Sequence, residues 1–356
     1  MSDLQIDVSR PVLVTGATGY VAGWVVKRLL DAGLAVHATV RDPSDKRKTA
    51  HLRSLEPVSG RLRFFAADLL RSGSFDEAMA GCQLVFHTAS PYAVSVRDPQ
   101  KELVDPALLG TKNVLDSVNR TPSVGRVVLT SSCAAIYGDS ADLAATPRGV
   151  FDEQVWNTSS SLEHGPYSYS KVLAEREAWR MHDAQSRWQL VVVNPAAVMG
   201  PGVKPDGTSE SFNFVKQMGD GTLRAGVPDI RIGVVDVRDL AEAHLRAGFL
   251  PAAQGRHVIV GHNSSFPEMA AALRERYGKS YPIPTRTLPK LLLWLIGPLV
   301  NPALTRRFVS RNVGLPWKAD NSKSVRELGM SYRSLSETMN DFFAQMIESG
   351  QLRTAK

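Results

Sequence analysis

The sequence predicts a doubly wound α/β fold, a parallel sheet with helices on both faces, joined to a smaller mixed lobe. Three observations carry the prediction. Short β-branched and apolar runs alternate with longer amphipathic stretches, the pattern of βαβ units. The first run, "PVLVTG", passes at once into a glycine-rich turn and a helical pattern. After Pro195 the alternation breaks, and Gly and Pro become frequent in "MGPGVKPDGT".

In chain order the strand candidates are "PVLVTG", "LAVHATV", "RLRFFAADL", "QLVFHTAS", "GRVVLTSS", "WQLVVVNPAAV" and, later, "RHVIVG". Helical patterns such as "GWVVKRLLDAG" and "DPALLGTKNVLDSVNR" separate most of them. Residues 1–195 are therefore expected to form the large-sheet domain, with 232–262 returning to it. Residues 196–231 and 263–356 are expected to form the smaller lobe. Within that lobe "SFPE" from Ser265 and "SLSE" from Ser334 read as capping boxes that open helices.

The bulk numbers exclude several classes. The chain has 356 residues, 43% hydrophobic and 22% charged, which is ordinary for a globular enzyme-sized protein. Its net charge of +7, from 42 Lys and Arg against 35 Asp and Glu, suits either anionic ligands or a soluble basic surface. No long basic tract is interleaved with aromatics, so nucleic-acid binding is not expected. The two cysteines, Cys82 and Cys133, make no disulfide framework, and the eight histidines are scattered, so no metal site is expected. The start "MSDLQIDVSRP" lacks a signal-peptide apolar core, and a reducing, cytoplasmic location is the expectation.

Special residues gather just after the strand candidates. In an open parallel sheet, ligands bind beyond the carboxyl ends of the strands. The first turn carries Gly16, Gly19, Ala22 and Gly23. Its spacing is G-x-x-G-x-x-A, close to the dinucleotide fingerprint of a Rossmann-type sheet, with Ala22 as the small third residue. Thr15, Gly16, Gly19, Tyr20 and Val21 are the candidate contacts to a cofactor there. NAD sites commonly place an acid at the end of the second strand. Here Val40 stands at that end and Arg41 follows, with Lys48 nearby, a pattern suited to a 2′-phosphate and hence to NADP(H). Asp42 puts a negative charge beside the same site, and a solvated basic helix start fits Lys46, Arg47 and Lys48 equally well.

The catalytic candidates lie in "LTSSCAAIYG" and "GPYSYSKVLAEREAW". Tyr167 and Lys171, four apart, share one helix face. A tyrosine titrates near 10, and a neighbouring ammonium lowers that value toward neutrality. Tyr167 would then give a proton to a carbonyl oxygen, Ser132 would hold the same oxygen, and Lys171 would also reach the nicotinamide ribose.

Taken in order, "VTGATGYVAGWVVKRLL", "ATVRDP", "AADL", "HTASP", "TSSCAAIYG", "YSYSKVLAEREAW", "NPAAVMGPG" and "DVRDLAEAHLRA" resemble the extended short-chain dehydrogenase/reductases. Within them the chain looks most like the branch of dihydroflavonol 4-reductase, cinnamoyl-CoA reductase and the microbial aldehyde and ketone reductases. The resemblance implies Ser132, Tyr167 and Lys171 as a catalytic triad, and Arg41 and Lys48 at the 2′-phosphate. It implies Asp68 and Leu69 near adenine, Ala89 and Pro195 along the nicotinamide, and Tyr137 beside the substrate. It implies NADPH-dependent reduction of an aldehyde or ketone to an alcohol; a hydrophobic small-molecule carbonyl substrate and a monomer or homodimer are the accompanying expectations. A sugar-nucleotide epimerase or dehydratase, a 3β-hydroxysteroid-type dehydrogenase and an NADPH-sensing binding module remain alternatives. Two features depart from relatives. "HGPYSYSK" replaces the Asn-Trp-Tyr-Cys-Tyr stretch of cinnamoyl-CoA reductases, and Tyr137 resembles the microbial reductases and sugar-nucleotide enzymes rather than the flavonoid reductases.

One segment stands apart. "TLPKLLLWLIGPLVNPAL", Thr287 to Leu304, is densely apolar from Leu291 to Val300. It is too short for a membrane span of about 20 apolar residues. It is expected to pack within the second lobe, part of it lining the substrate pocket. An interfacial position, helped by Arg306, Arg307 and Arg311, is the other reading.

Overall fold

The computed structural model describes residues 4–55, 60–90 and 96–353. Along the first half of the chain, β1 (Val12–Thr15), α1 (Tyr20–Asp31), β2 (Val36–Val40), α2 (Lys46–Arg53), β3 (Leu62–Ala66), α3 (Asp76–Met79) and β4 (Leu84–His87) follow one another. A π-type turn leads into α4 (Asp105–Arg120), and then come β5 (Arg126–Thr130), α5 (Pro166–Asp183) and β6 (Gln189–Pro195). The chain next forms β7 (Ala197–Met199), α6 (Glu210–Gly219), β8 (Val227–Pro228), β9 (Arg231–Asp236), α7 (Val237–Phe249), β10 (Gly255–Ile259) and β11 (His262–Ser265). It ends with α8 (Phe266–Tyr277), β12 (Thr287–Leu288), α9 (Lys290–Val300), α10 (Arg306–Asn312), α11 (Ser322–Leu328) and α12 (Leu335–Glu348).

Among the described residues, the seven strand-like runs all enter one parallel sheet in the order β10-β6-β5-β4-β1-β2-β3. Helices cover both faces, as a parallel sheet requires. On one face Ala22, Val25, Val26, Leu29 and Leu30 of α1 pack with α7 against β1, β2, β4 and β6. The other face buries Val114, Leu115 and Val118 of α4 with Ala178 and Met181 of α5. The central strands are buried along their whole length, which is why they read as continuous apolar runs rather than alternating ones.

A smaller mixed sheet, β11-β9-β7, stands beside the large one. Of residues 232–262, β10 pairs with β6, whereas β9 pairs with β7 and β11. The second core is aromatic and methionine-rich: Phe212, Met269, Phe342, Phe343 and Met346 are buried in it. Ser265 caps α8 and Ser334 caps α12, each hydroxyl accepting the amide three residues on. Two bonds fasten α1 to this side. The Tyr20 hydroxyl donates to the Gly200 carbonyl at 2.5 Å, and Trp24 Nε1 donates to the Pro201 carbonyl at 2.7 Å.

The apolar helix α9 departs from the sequence expectation. Only Leu293 and Gly297 are buried, while Leu291, Leu292, Trp294, Leu295, Ile296, Leu299 and Val300 are exposed. The cause is the small size of what lies beneath. Its cluster buries only Leu293, Val309 and Val313, with Ile230, Leu288 and Leu304 at the margin, and so covers one strip of the helix.

Candidate active site

The glycine turn is shaped by close approach. Gly16 takes φ +65°, and a β-carbon there would lie 2.9 Å from that of Ala89, at the end of β4. Gly19 precedes α1 in extended conformation, without a side-chain cap on the first helical amides. Ala22 is buried against the sheet, as the third small residue should be. Free amides and the positive end of the helix dipole therefore face the strand ends, the setting in which anionic groups bind.

Two of the expected contacts have their side chains committed elsewhere. The Thr15 hydroxyl accepts the amides of Thr88 at 3.1 Å and Ala89 at 3.0 Å, and lies 2.9 Å from His87 Nδ1. With both lone pairs used, it donates its proton to the ring, which leaves no side-chain capacity for a ligand. Burial, with the Lys171 charge added, lowers His87 to about 3, so the ring stays neutral. Tyr20 points its hydroxyl at Gly200, meets Phe212 edge-on and stacks on Phe342. Val21 is half-buried against the large-sheet core.

At the β2 end Arg41 is exposed, and no acid pairs with it among the described residues. Asp42, the acid beside it, accepts the Ser44 amide at 2.8 Å and the Ser44 hydroxyl at 2.6 Å. Those bonds hold its carboxyl below the usual range and spend its charge within the loop. Lys48 lies exposed in the first turn of α2, 3.4 Å from Asp45. At the β3 end Asp68 is exposed and accepts the Leu70 amide. Leu69 packs over Gly110, and its carbonyl accepts from Asn113 at 2.7 Å.

The reactive candidates come together at the ends of β4, β5 and β6. Ser132 caps the 3-10 turn Cys133–Ala135, accepting the Ala134 amide at 3.1 Å. Its hydroxyl proton and a second lone pair are left over. α5 starts at Gly165, which takes φ +70°, and Pro166, and it packs on that turn. Tyr167 is half-buried in its first turn. Lys171, one turn on, is buried, with Nζ 5.7 Å from the Tyr167 ring centre. Its ammonium donates to the Ser90 hydroxyl at 2.9 Å, which ties α5 to the end of β4. Burial pushes the ammonium down to about 8, against the opposing pull of Glu175. Pro195 closes β6, opposite Ile259. Tyr137 stacks on Phe151 at 4.6 Å and meets Trp317 edge-on at 5.4 Å, and burial raises its hydroxyl. Pro91, in the quoted stretch "HTASP", lies outside the described residues.

Two features were missed in the sequence. Glu175, a further turn along the Tyr167–Lys171 face, is almost fully buried. It accepts from Arg256 Nε at 2.6 Å, the Ser131 hydroxyl at 2.5 Å and Asn194 Nδ2 at 2.8 Å. One carboxylate thus joins α5 to β5, β6 and β10. The signal was present, since Tyr167, Lys171 and Glu175 repeat at four-residue spacing. The second feature is Asp139. It binds His164 Nε2 at 2.7 Å, Asn312 Nδ2 at 2.7 Å and Arg311 Nε at 2.5 Å. Burial alone would raise its carboxyl, and these bonds hold it below the usual range. They tie the segment before α5 to α10.

Comparison with known proteins finds similar chains over most of the sequence. The model of the NAD dependent epimerase/dehydratase family matches residues 12–261. Tetraketide alpha-pyrone reductase 1 of Arabidopsis thaliana is 37% identical over 350 residues, covering 96% of this chain and 97% of that one. Cinnamoyl-CoA reductase CAD2 of Medicago truncatula is 42% identical over 269 residues, 75% of this chain and 80% of that one. Among solved structures, yeast methylglyoxal/isovaleraldehyde reductase Gre2 complexed with NADPH superposes with a TM-score of 0.78 at 26% identity, covering 96% of this chain and 99% of that one.

Proposed function

The chain belongs to the NAD dependent epimerase/dehydratase family, and from that membership we propose that it reduces an aldehyde or ketone to an alcohol with NADPH. It is an NADP(H)-dependent oxidoreductase of the extended short-chain dehydrogenase/reductase branch. The observation that carries the finer reading is the Lys171 ammonium, buried one turn from Tyr167 and held at the end of β4 by Ser90.

The uncapped start of α1 suits the pyrophosphate, with the Gly16 backbone drawn close by Ala89. Arg41, with Asp42 turned onto Ser44, suits the 2′-phosphate, and Lys48 adds charge beside it. Asp68 and Leu69 border the adenine side, and the backbone at Ala89 and Pro195 borders the nicotinamide side. When bound, the cofactor supplies the hydride. Tyr167 gives the proton to the carbonyl oxygen, Ser132 donates a hydrogen bond to that oxygen, and Lys171 holds the phenolate that proton loss leaves. Tyr137 marks the substrate side, beside the lobe built on the small sheet of β7, β9 and β11.

The test is a panel of small and bulky aromatic aldehydes and ketones, followed by NADPH absorbance with NADH in parallel. Net NADPH consumption with a simple carbonyl is expected. An enzyme that converts a sugar nucleotide with no net cofactor consumption, or that binds NADPH and turns over no carbonyl, overturns the reading.

A further inference from the structure

The outer face of α9 has no partner in the fold. Leu299 is 87% exposed, Val300 76% and Leu291 69%. At 100° per residue, Leu293 and Gly297 lie about 40° apart on one buried strip, and the seven exposed apolar side chains spread over about 240° of the remaining circumference. A helix that is apolar all round belongs in a core or in lipid. The stretch of chain that carries it has charge of a single sign. Between Glu275 and Asp320 no Asp or Glu occurs. Arg286 and Lys290 are exposed on the N-terminal side of the helix, and Arg306 and Arg307 beyond its C-terminal end. The Arg306 guanidinium lies over the Trp294 ring at 4.8 Å, so an interfacial aromatic and a cation share one edge.

We propose that α9 seats the protein on an anionic lipid bilayer, lying in the headgroup–acyl boundary with its apolar arc in the chains and its cationic rim at the phosphates. Its eleven residues extend about 16 Å, half of a hydrocarbon core, so the helix lies in the surface and does not cross it. No helix among the described residues is long and apolar enough to cross a membrane. A second copy of the chain fits less well. A protein face covers one flank of a helix, whereas this arc wraps most of it, and a two-fold pairing would set the cationic rims against each other. Fluid acyl chains envelop a wide convex arc, and anionic headgroups match the rim. The inference does not depend on the proposed reaction.

The experiment is co-sedimentation of the full chain with phosphatidylcholine vesicles, with and without about 30% phosphatidylglycerol, at about 0.1 M and 0.5 M salt. The comparison protein is Leu295→Asp/Leu299→Asp, whose altered side chains are at least half exposed. Its melting midpoint reports that it folds. We expect at least about tenfold stronger partition onto the anionic vesicles, a severalfold loss at the higher salt, and loss of binding in the double variant with its midpoint unchanged. Binding that the double variant retains overturns the proposal. So does absence of binding, whether the chain sediments as a monomer or as a dimer that the double variant dissociates. In the dimer case the face belongs to a second copy. Should the double variant melt early, Arg306→Glu/Arg307→Glu takes its place, with the same loss expected and retained binding again refuting.

Discussion

Replacing Glu175 by Gln removes one negative charge and little volume. The carboxylate is 1% exposed and pairs with Arg256, itself 7% exposed, at 2.6 Å. Breaking one side of a buried pair costs about 3–5 kcal/mol, because the remaining charge is stranded. Glutamine keeps one acceptor oxygen for the Ser131 or Asn194 contact, which places the loss near about 3 kcal/mol. At roughly 2 °C per kcal/mol for a chain this long, the melting midpoint falls by about 6 °C. The same charge favours the protonated form of Lys171, whose ammonium burial has lowered to about 8. Without it, Lys171 loses its proton at lower pH. The alkaline limb of kcat/KM for NADPH-dependent reduction therefore moves to lower pH, and the acid limb stays. Stability has its own sign. The folded value lies below the ordinary 10.5, so the contribution of Lys171 is present above pH 10.5 and lost as pH falls through about 8. In the variant that loss is completed at a lower pH. The assays are differential scanning calorimetry and a pH–rate profile from pH 6 to about 10. A wild-type midpoint refutes the buried-pair arithmetic. A lowered midpoint with an unmoved alkaline limb refutes the coupling to Lys171 and leaves Glu175 a structural residue.

Tyr167→Phe is expected to lower kcat by about 10²–10⁴ while NADPH affinity, read by fluorescence titration, changes little; a near-normal kcat removes Tyr167 from proton transfer. Arg41→Ala is expected to raise KM for NADPH roughly tenfold to a hundredfold and to leave KM for NADH nearly unchanged, the loss of one charge-assisted contact. Equal wild-type efficiency with both cofactors contradicts that assignment. Gly16→Ala adds a β-carbon 2.9 Å from that of Ala89 at φ +65°. About 1–3 kcal/mol of stability should go with it, along with NADPH affinity, and an unchanged melting midpoint and Kd would show that the turn has room to yield.

The large sheet was legible because its signals are local. A strand buried on both faces must be apolar at consecutive positions, so "VLV" and "LVF" announce themselves. Ala22 is legible for the same reason, since a small residue is needed wherever helix meets strand. Ser265 and Ser334 bond only three residues ahead, within reach of any window. The Glu175 network could not be read that way. Its partners lie 44, 19 and 81 residues away and meet only after four elements are in place. Thr15 was legible as a residue at the turn, but not as one whose hydroxyl is saturated by β4. The α9 segment misled for a related reason. Apolar content measures a residue's tendency to leave water, whereas burial also needs a surface to meet. Arg311, which reads as a flanking cation in the sequence, turns inward to Asp139 and Asp142.

The order of the strands bears on how the chain is made. β6 finds β5 on one flank as soon as both exist, but its other flank waits for β10, about 60 residues further on. Those intervening residues build β7, β8, β9 and α7 first. At ribosomal rates of roughly 5–20 residues per second, the open flank persists for roughly 3–12 s. It is a row of unpaired peptide groups carrying Leu190, Val191, Val192 and Val193, the kind of edge that recruits strands from other chains. The nascent polypeptide is therefore most vulnerable while its detour is being translated, and slower elongation across that stretch lengthens the exposure in direct proportion.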